Sequence, residues 1–177
     1  MSYTPPNLAT SLILALGLAL FSVSTAFCSD SLRREPLFKI ERNKNANIIQ
    51  YDAQIGPDGM LDAKNPVVAY WIRLAEEGQV RKLSWIQRTF AFGFHAHYDP
   101  ASDTAPMEME VDIDRNITVV RDGETYRAKT TIDGAPSYLD KIYIMAHKRG
   151  FLIKVEFVDI YGRDASTGEE RYEHFVP

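Results

Sequence analysis

The chain has one cysteine, Cys28, and no charged residue before Asp30. A single cysteine excludes an internal disulfide, so stability must come from packing and backbone pairing. The sequence also lacks the motifs that announce common chemistries. It has no Gly-x-Ser-x-Gly, no phosphate-cradling glycine loop, no Cys-x-x-Cys and no His-Glu-x-x-His. Nor does it have the basic stripe with interleaved aromatics that nucleic-acid binding requires. The net charge is −4 and the pI about 5.6, and Arg33-Arg34 and Lys39/Arg42/Lys44 are the local basic clusters. Nucleic acid is therefore not an expected partner, and those clusters are expected on a solvated face.

The uncharged start is itself informative. Leu12 to Phe21 is an unbroken apolar run, and it ends in Ser22, Ser24, Thr25 and Ala26. An apolar core of about 7–15 residues ahead of a small-x-small site is the layout of a secretory signal peptide. Residues 1–26 are read as that peptide, with cleavage after Ala26 or Cys28 and no membrane span left after cleavage. Met1–Asn7 departs from the pattern in having no Lys or Arg. Two other readings compete. Leu8–Phe27 nearly reaches the roughly 20 residues that span a bilayer, but it lacks basic flanks. Cys28 stands where a lipidated cysteine would, but Phe27 before it is bulky. The expected location is periplasmic or extracellular.

After Pro36, period-2 alternation dominates, rich in β-branched and aromatic residues. It predicts strands at 37–42, 47–55, 67–74, 90–98, 107–113, 117–121, 124–132, 139–147 and 151–161. Gly56-Pro57-Asp58-Gly59, Asp122-Gly123 and Lys148-Arg149-Gly150 are turn signals between them. Ser84-x-x-Gln87 reads as a capping box opening a short helix over 84–90. Val67–Ile72 is apolar on both faces and should be covered on both sides. These features predict an all-β domain over 37–161, a mainly antiparallel meander of about eight or nine strands forming a small barrel or a sandwich. Residues 27–36 form a linker, and 162–177 a polar tail with room for one last short strand.

Three stretches resemble a known family. They are Lys39–Arg42 with Asn45–Ala53; Leu61-Asp62 with Asn65-Pro66-Val67 and Ala69–Ile72; and Tyr161-Gly162 with Asp164 and Thr167-Gly168. The chain resembles the domain-of-unknown-function family 4833, small secreted bacterial proteins. The resemblance implies a single exported domain and brings no activity, cofactor or catalytic residue with it.

One hairpin carries the candidate chemistry. Phe90, Phe92, Phe94, Ala96 and Tyr98 alternate with His95 and His97; Met107, Met109, Val111 and Ile113 alternate with Glu108, Glu110, Asp112 and Asp114. Matching apolar to apolar sets Tyr98 opposite Met107, Ala96 opposite Met109, Phe94 opposite Val111 and Phe92 opposite Ile113. The other face then sets His97 opposite Glu108 and His95 opposite Glu110. Opposed Cβ atoms lie about 4.5–5.5 Å apart, so His95, His97, Glu108 and Glu110 could jointly hold a divalent metal that activates water. Opposed His and Glu also make a favourable pair on a wet face with no metal, which is the simpler expectation; no cofactor is required. On the apolar face, Phe92, Phe94, Met107, Met109 and Tyr126 could line a cavity for an apolar small ligand, or fill a dry core. Asp52, Asp58 and Asp62 flank the Gly56–Gly59 turn at spacings that do not match an EF-hand.

The expectation is a non-enzymatic binding or envelope-associated module for an apolar small molecule or an envelope component. A metal-dependent, hydrolytic site on the 90–114 hairpin is the alternative, and a structural or protein-interaction module is a third reading.

Overall fold

The computed structural model describes residues 31–43, 45–110, 115–149 and 152–177. The expected leader, Cys28, and Val111–Asp114 of the expected hairpin lie outside the described residues. Eleven strands are described: β1 (Arg33–Arg42), β2 (Asn45–Ile55), β3 (Val67–Arg73), β4 (Gln79–Lys82), β5 (Phe94–Ala96), β6 (Ala105–Met109), β7 (Ile117–Asp122), β8 (Thr125–Ile132), β9 (Ala135–Arg149), β10 (Leu152–Asp164) and β11 (Glu170–Phe175). One helical turn, α1 (Trp85–Gln87), continues into a wide turn over Arg88–Phe92. Among the described residues no helix is long and apolar enough to cross a membrane.

The chain is mostly β, as its alternation dictates. Neighbouring strands pair β4-β3-β2-β1-β9-β8-β7-β6-β5, with β10 and then β11 added to the other side of β9. All these pairs are antiparallel except β1 with β9, where Ile40 lies beside Ile142 and Arg42 beside Ile144 in parallel. β9 is long enough to serve two strands along one edge: Ala135–Tyr138 pair with β8, and Lys141–Ile144 with β1. The path does not close. No pairing joins the β4-β3 end to the β5 end among the described residues, so the barrel expected from the sequence has a seam.

Strand faces follow the pattern. Ile40, Ile49, Tyr51, Ile55, Val119, Ala128, Ile142 and Ile160 point inward as the centre of one apolar core. A fully buried aliphatic side chain of this kind contributes about 1.5–3 kcal/mol. Tyr51 stacks flat on Phe38 at 4.5 Å, and its hydroxyl donates to the carbonyl of Phe92 at 2.9 Å. Burial pushes its phenol pKa up.

Turn chemistry accounts for much of the family-like sequence. In the β2–β3 loop, Gly56 and Met60 close a turn in which Gly59 takes φ +79°. Asp58 Oδ1 accepts the Met60 N–H, Asp62 Oδ2 accepts the Asn65 N–H, and Asp52 Oδ2 accepts the Tyr70 hydroxyl. The three aspartates thus do separate jobs. Between β10 and β11, Asp164 accepts the backbone N–H groups of Ser166 and Thr167 and the guanidinium of Arg171. Those donors hold its carboxyl far below the usual range. Gly162 is required by packing, because a Cβ there would lie 2.2 Å from the Tyr138 carbonyl oxygen.

Several boundaries differ from expectation. Arg33–Pro36, assigned to a linker, already pair with Asp52–Ile55. Gly162–Pro177 is no loose tail, since Gly162–Asp164 end β10 and Glu170–Phe175 form β11 against it. β4 was not expected; Gln79–Lys82 is fully exposed and so has no apolar alternation to betray it. The largest change is at 90–98. Only Phe94–Ala96 is strand, because the Ser84 cap starts a helical turn that runs on through Phe92.

A cation-lined groove at the seam

Ser84 Oγ accepts the Gln87 N–H at 3.3 Å, and Gln87 Oε1 accepts the Ser84 N–H at 2.8 Å. This completed capping box directs the chain away from β4 and across the open end of the sheet. The turn ends at Gly93, where a Cβ would stand 1.7 Å from the carbonyl oxygen of Arg88. Only glycine lets the backbone double back so closely, and it is this step that places Arg88 beside the root of β5.

The hairpin that follows has a register two residues away from the expected one. Phe94 lies opposite Met109, His95 opposite Glu108 and Ala96 opposite Met107. The faces keep their character, because a shift of two preserves alternation. The pairings change: Phe92 is in the helical turn, and His97 is bonded through its backbone N–H to the Pro106 carbonyl. His95 Nε2 reaches Glu110 diagonally at 3.3 Å, with its side chain 70 % exposed. His97 and Glu108 are also exposed. Among the described residues no three His, Cys, Asp or Glu side chains converge in an arrangement suited to a metal ion.

The expected apolar cavity divides. Phe92 and Phe94 line a groove, whereas Met107 is enclosed in the core at 2 % exposure and Met109 packs half-buried against it. Tyr126 is 2 % exposed and lines a separate cavity of about 300 Å³. Its hydroxyl and the Arg121 guanidinium both bond to Asp103 Oδ2, while Asp103 Oδ1 accepts the Leu61 N–H. Asp103 takes φ +49° to reach them, and despite burial these donors hold its carboxyl below the usual range. This cluster ties the β5–β6 loop to the β2–β3 loop and to β7 and β8.

The groove has a volume of about 910 Å³ and follows the seam, within the usual range for ligand sites. One wall is Lys64–Tyr70 without Val67, at the start of β3; the other is Gly93–Ala96. This explains why β3 is apolar on both faces. Val67, Ala69 and Trp71 pack on the core, while Val68 and Tyr70 form the wall.

Charge distinguishes the groove from the rest of the surface. Arg34, Lys64, Lys82 and Arg88 line it, with His95 at one side, and no Asp or Glu does. None of the four cations has an ion-pair partner among the described residues. The nearest buried carboxylate, Asp52, is 3 % exposed and engaged by the Tyr70 hydroxyl at 2.7 Å. Burial, then the hydrogen bond and charge of Asp52, push the Tyr70 phenol up to about 12. Tyr70 therefore presents a neutral aromatic wall at any physiological pH. At the floor, the Arg42 guanidinium stacks 4.9 Å over the Phe92 ring. Sequence reading did not find this site, because its cations come from four separate places in the chain and form no run.

The family described as a domain of unknown function (DUF4833) matches residues 38–174. No curated protein and no solved structure matches the chain.

Proposed function

Because the chain belongs to the DUF4833 family, whose description assigns no activity, we propose a function from the groove: a non-enzymatic binding module that takes an anionic, partly apolar ligand at the seam. The observation that carries this reading is four ion-pair-free cations, with no carboxylate, around an aromatic-walled groove in a chain of net charge −4. Cations left without partners in an acidic protein raise the local concentration of anions and select for them. Phe92, Phe94, Val68 and Tyr70 supply apolar surface for the remainder of the ligand. Export belongs to the same proposal. Its support is the uncharged run Leu12–Phe21 before Ala26, and it predicts a purified mature chain that starts at Phe27 or Ser29.

The test is calorimetric titration with octanoate and with octanol, its uncharged counterpart. Octanoate binds and octanol does not compete at equal concentration. The triple variant Arg34→Gln/Lys82→Gln/Arg88→Gln loses octanoate binding by at least about tenfold, or 1.4 kcal/mol, and keeps its melting temperature. Equal binding of the two ligands, or an unaffected variant, refutes the reading.

A further inference from the structure

The seam is bounded by two unpaired strand edges as well as by side chains. Hydrogen-bonded positions alternate along an antiparallel pair. On β3, the Gln54 N–H donates to the Pro66 carbonyl at 2.9 Å, so Val68 and Tyr70 turn their backbone groups to β2 and Val67 faces the opposite way. β4 covers β3 only from Tyr70 onward. On β5, the Glu110 N–H donates to the Gly93 carbonyl at 2.9 Å and the His97 N–H to Pro106 at 3.1 Å. The odd positions of β5 therefore face β6, and Phe94 and Ala96 turn their N–H and C=O groups outward. Both edges border the same groove, and no pairing joins them among the described residues.

Exposed strand edges are usually blunted by charge, a bulge or cover. Here the edges are flanked by charge of one sign only. Resting on the proposed function, we infer that the occupant of the groove is an extended acidic peptide segment, which adds a strand between β3 and β5 and completes the sheet. Its backbone bonds to Val67 on one side and to Phe94 and Ala96 on the other. Its side chains alternate, one set resting on Phe92 and Phe94 and the other carrying carboxylates to Arg34, Lys64, Lys82 and Arg88. Charge complementarity excludes a basic segment. The run of edge available suits about six residues, an ordinary strand length.

The experiment titrates the full chain with three end-capped peptides. The first alternates Glu and Val over six residues. The second has the same sequence N-methylated on every second amide, which deletes its hydrogen bonds along one edge and leaves its charges in place. The third has Lys in place of Glu. The first peptide binds and slows hydrogen exchange at the Val67, Phe94 and Ala96 amides. The methylated peptide binds at least about tenfold more weakly, the cost of roughly one to two backbone hydrogen bonds. The Lys peptide does not bind. Equal affinity for the first two peptides, or binding without amide protection, overturns the inference. Octanoate separates its failure from that of the broader reading. If octanoate binds and the acidic peptide does not, the strand-addition inference falls and the anion-binding groove stands; if neither binds, both fall. On the protein side, Ala96→Pro removes one edge donor from a strand that tolerates proline at such a position. It weakens the Glu/Val peptide and leaves octanoate unchanged. A variant that loses octanoate too has lost its fold, and the methylated peptide, tested on the unaltered protein, then decides.

Discussion

Two regions of this molecule treat charge in opposite ways. Around Asp103 and along β10–β11, charged groups are matched. Asp103 takes Arg121, Tyr126 and a backbone N–H; Asp164 takes Arg171; Asp159 takes the Tyr172 hydroxyl and His174 Nδ1; Glu173 takes Arg115 and the Asp133 N–H. At the seam, four cations have no such partner. The first region joins strands and loops that must stay joined. The second has matched its backbone and its charges to nothing in its own chain. What the contrast teaches is that unpaired cations are a local property of the groove and not a general habit of this surface.

The contrast can be broken most severely at Gly93. Gly93→Ala drives a methyl into the Arg88 carbonyl, and its expected cost is about 3 kcal/mol in urea-induced unfolding. Because the Arg88–Phe92 turn must then shift, octanoate binding falls with it. Asp103→Ala acts on the other region. It leaves the buried Tyr126 hydroxyl unsatisfied, at an expected cost of about 2 kcal/mol, with octanoate affinity unchanged per folded molecule.

The same carboxylates set the acid response. Asp99, Asp103, Asp164 and Glu173 all have folded pKa values below their ordinary ones. A depressed carboxyl contributes stability above its unfolded pKa, near 4, and loses that contribution as pH falls through the folded value. Unfolding free energy is therefore expected to decline below about pH 4, and Asp103→Asn should make that decline shallower. A decline of unchanged steepness would remove Asp103 from the acid-labile set. Smaller again is Ser84→Ala, which deletes the capping box for about 1 kcal/mol. Least of all for stability are Lys82→Gln and Arg88→Gln, each within about 0.5 kcal/mol because these groups are exposed. Their effect is read in binding alone, which is the sharpest form of the contrast.

Much of the fold was legible in the sequence. Asp122-Gly123 forms the β7–β8 turn with Gly123 at φ +61°, and Ser84 and Gln87 make the predicted reciprocal cap. The failures have definite physical causes. Phe90, Phe92 and Phe94 alternate at period 2, yet local capping and the close approach at Gly93 override the alternation and hold Phe92 in a helical turn. The hairpin register slipped by two because apolar residues meet apolar residues in either alignment. What chooses between them is the loop, where Asp99 and Thr104 bridge and Asp103 takes a left-handed conformation. The parallel neighbour of β1 left no local trace at all. Of the residues expected to bind an apolar ligand, Phe92 and Phe94 do reach the groove, since aromatic bulk near an unclosed edge is visible in sequence. The cations beside them were not, because only the sheet path brings Arg34 near Arg88.

The parallel pairing of β1 with β9 also governs how the molecule comes into being. Ile40 and Ile142 are about 100 residues apart in the chain, so β1 can make its hairpin with β2 early but must wait for nearly everything else before its second edge is covered. Contacts that distant are slow to form. A chain delivered from its N-terminus, whether by synthesis or by passage through a membrane pore, cannot lock this sheet until β9 has arrived. Premature folding is thereby avoided by topology alone, and the finished domain appears only when the chain is almost entirely delivered.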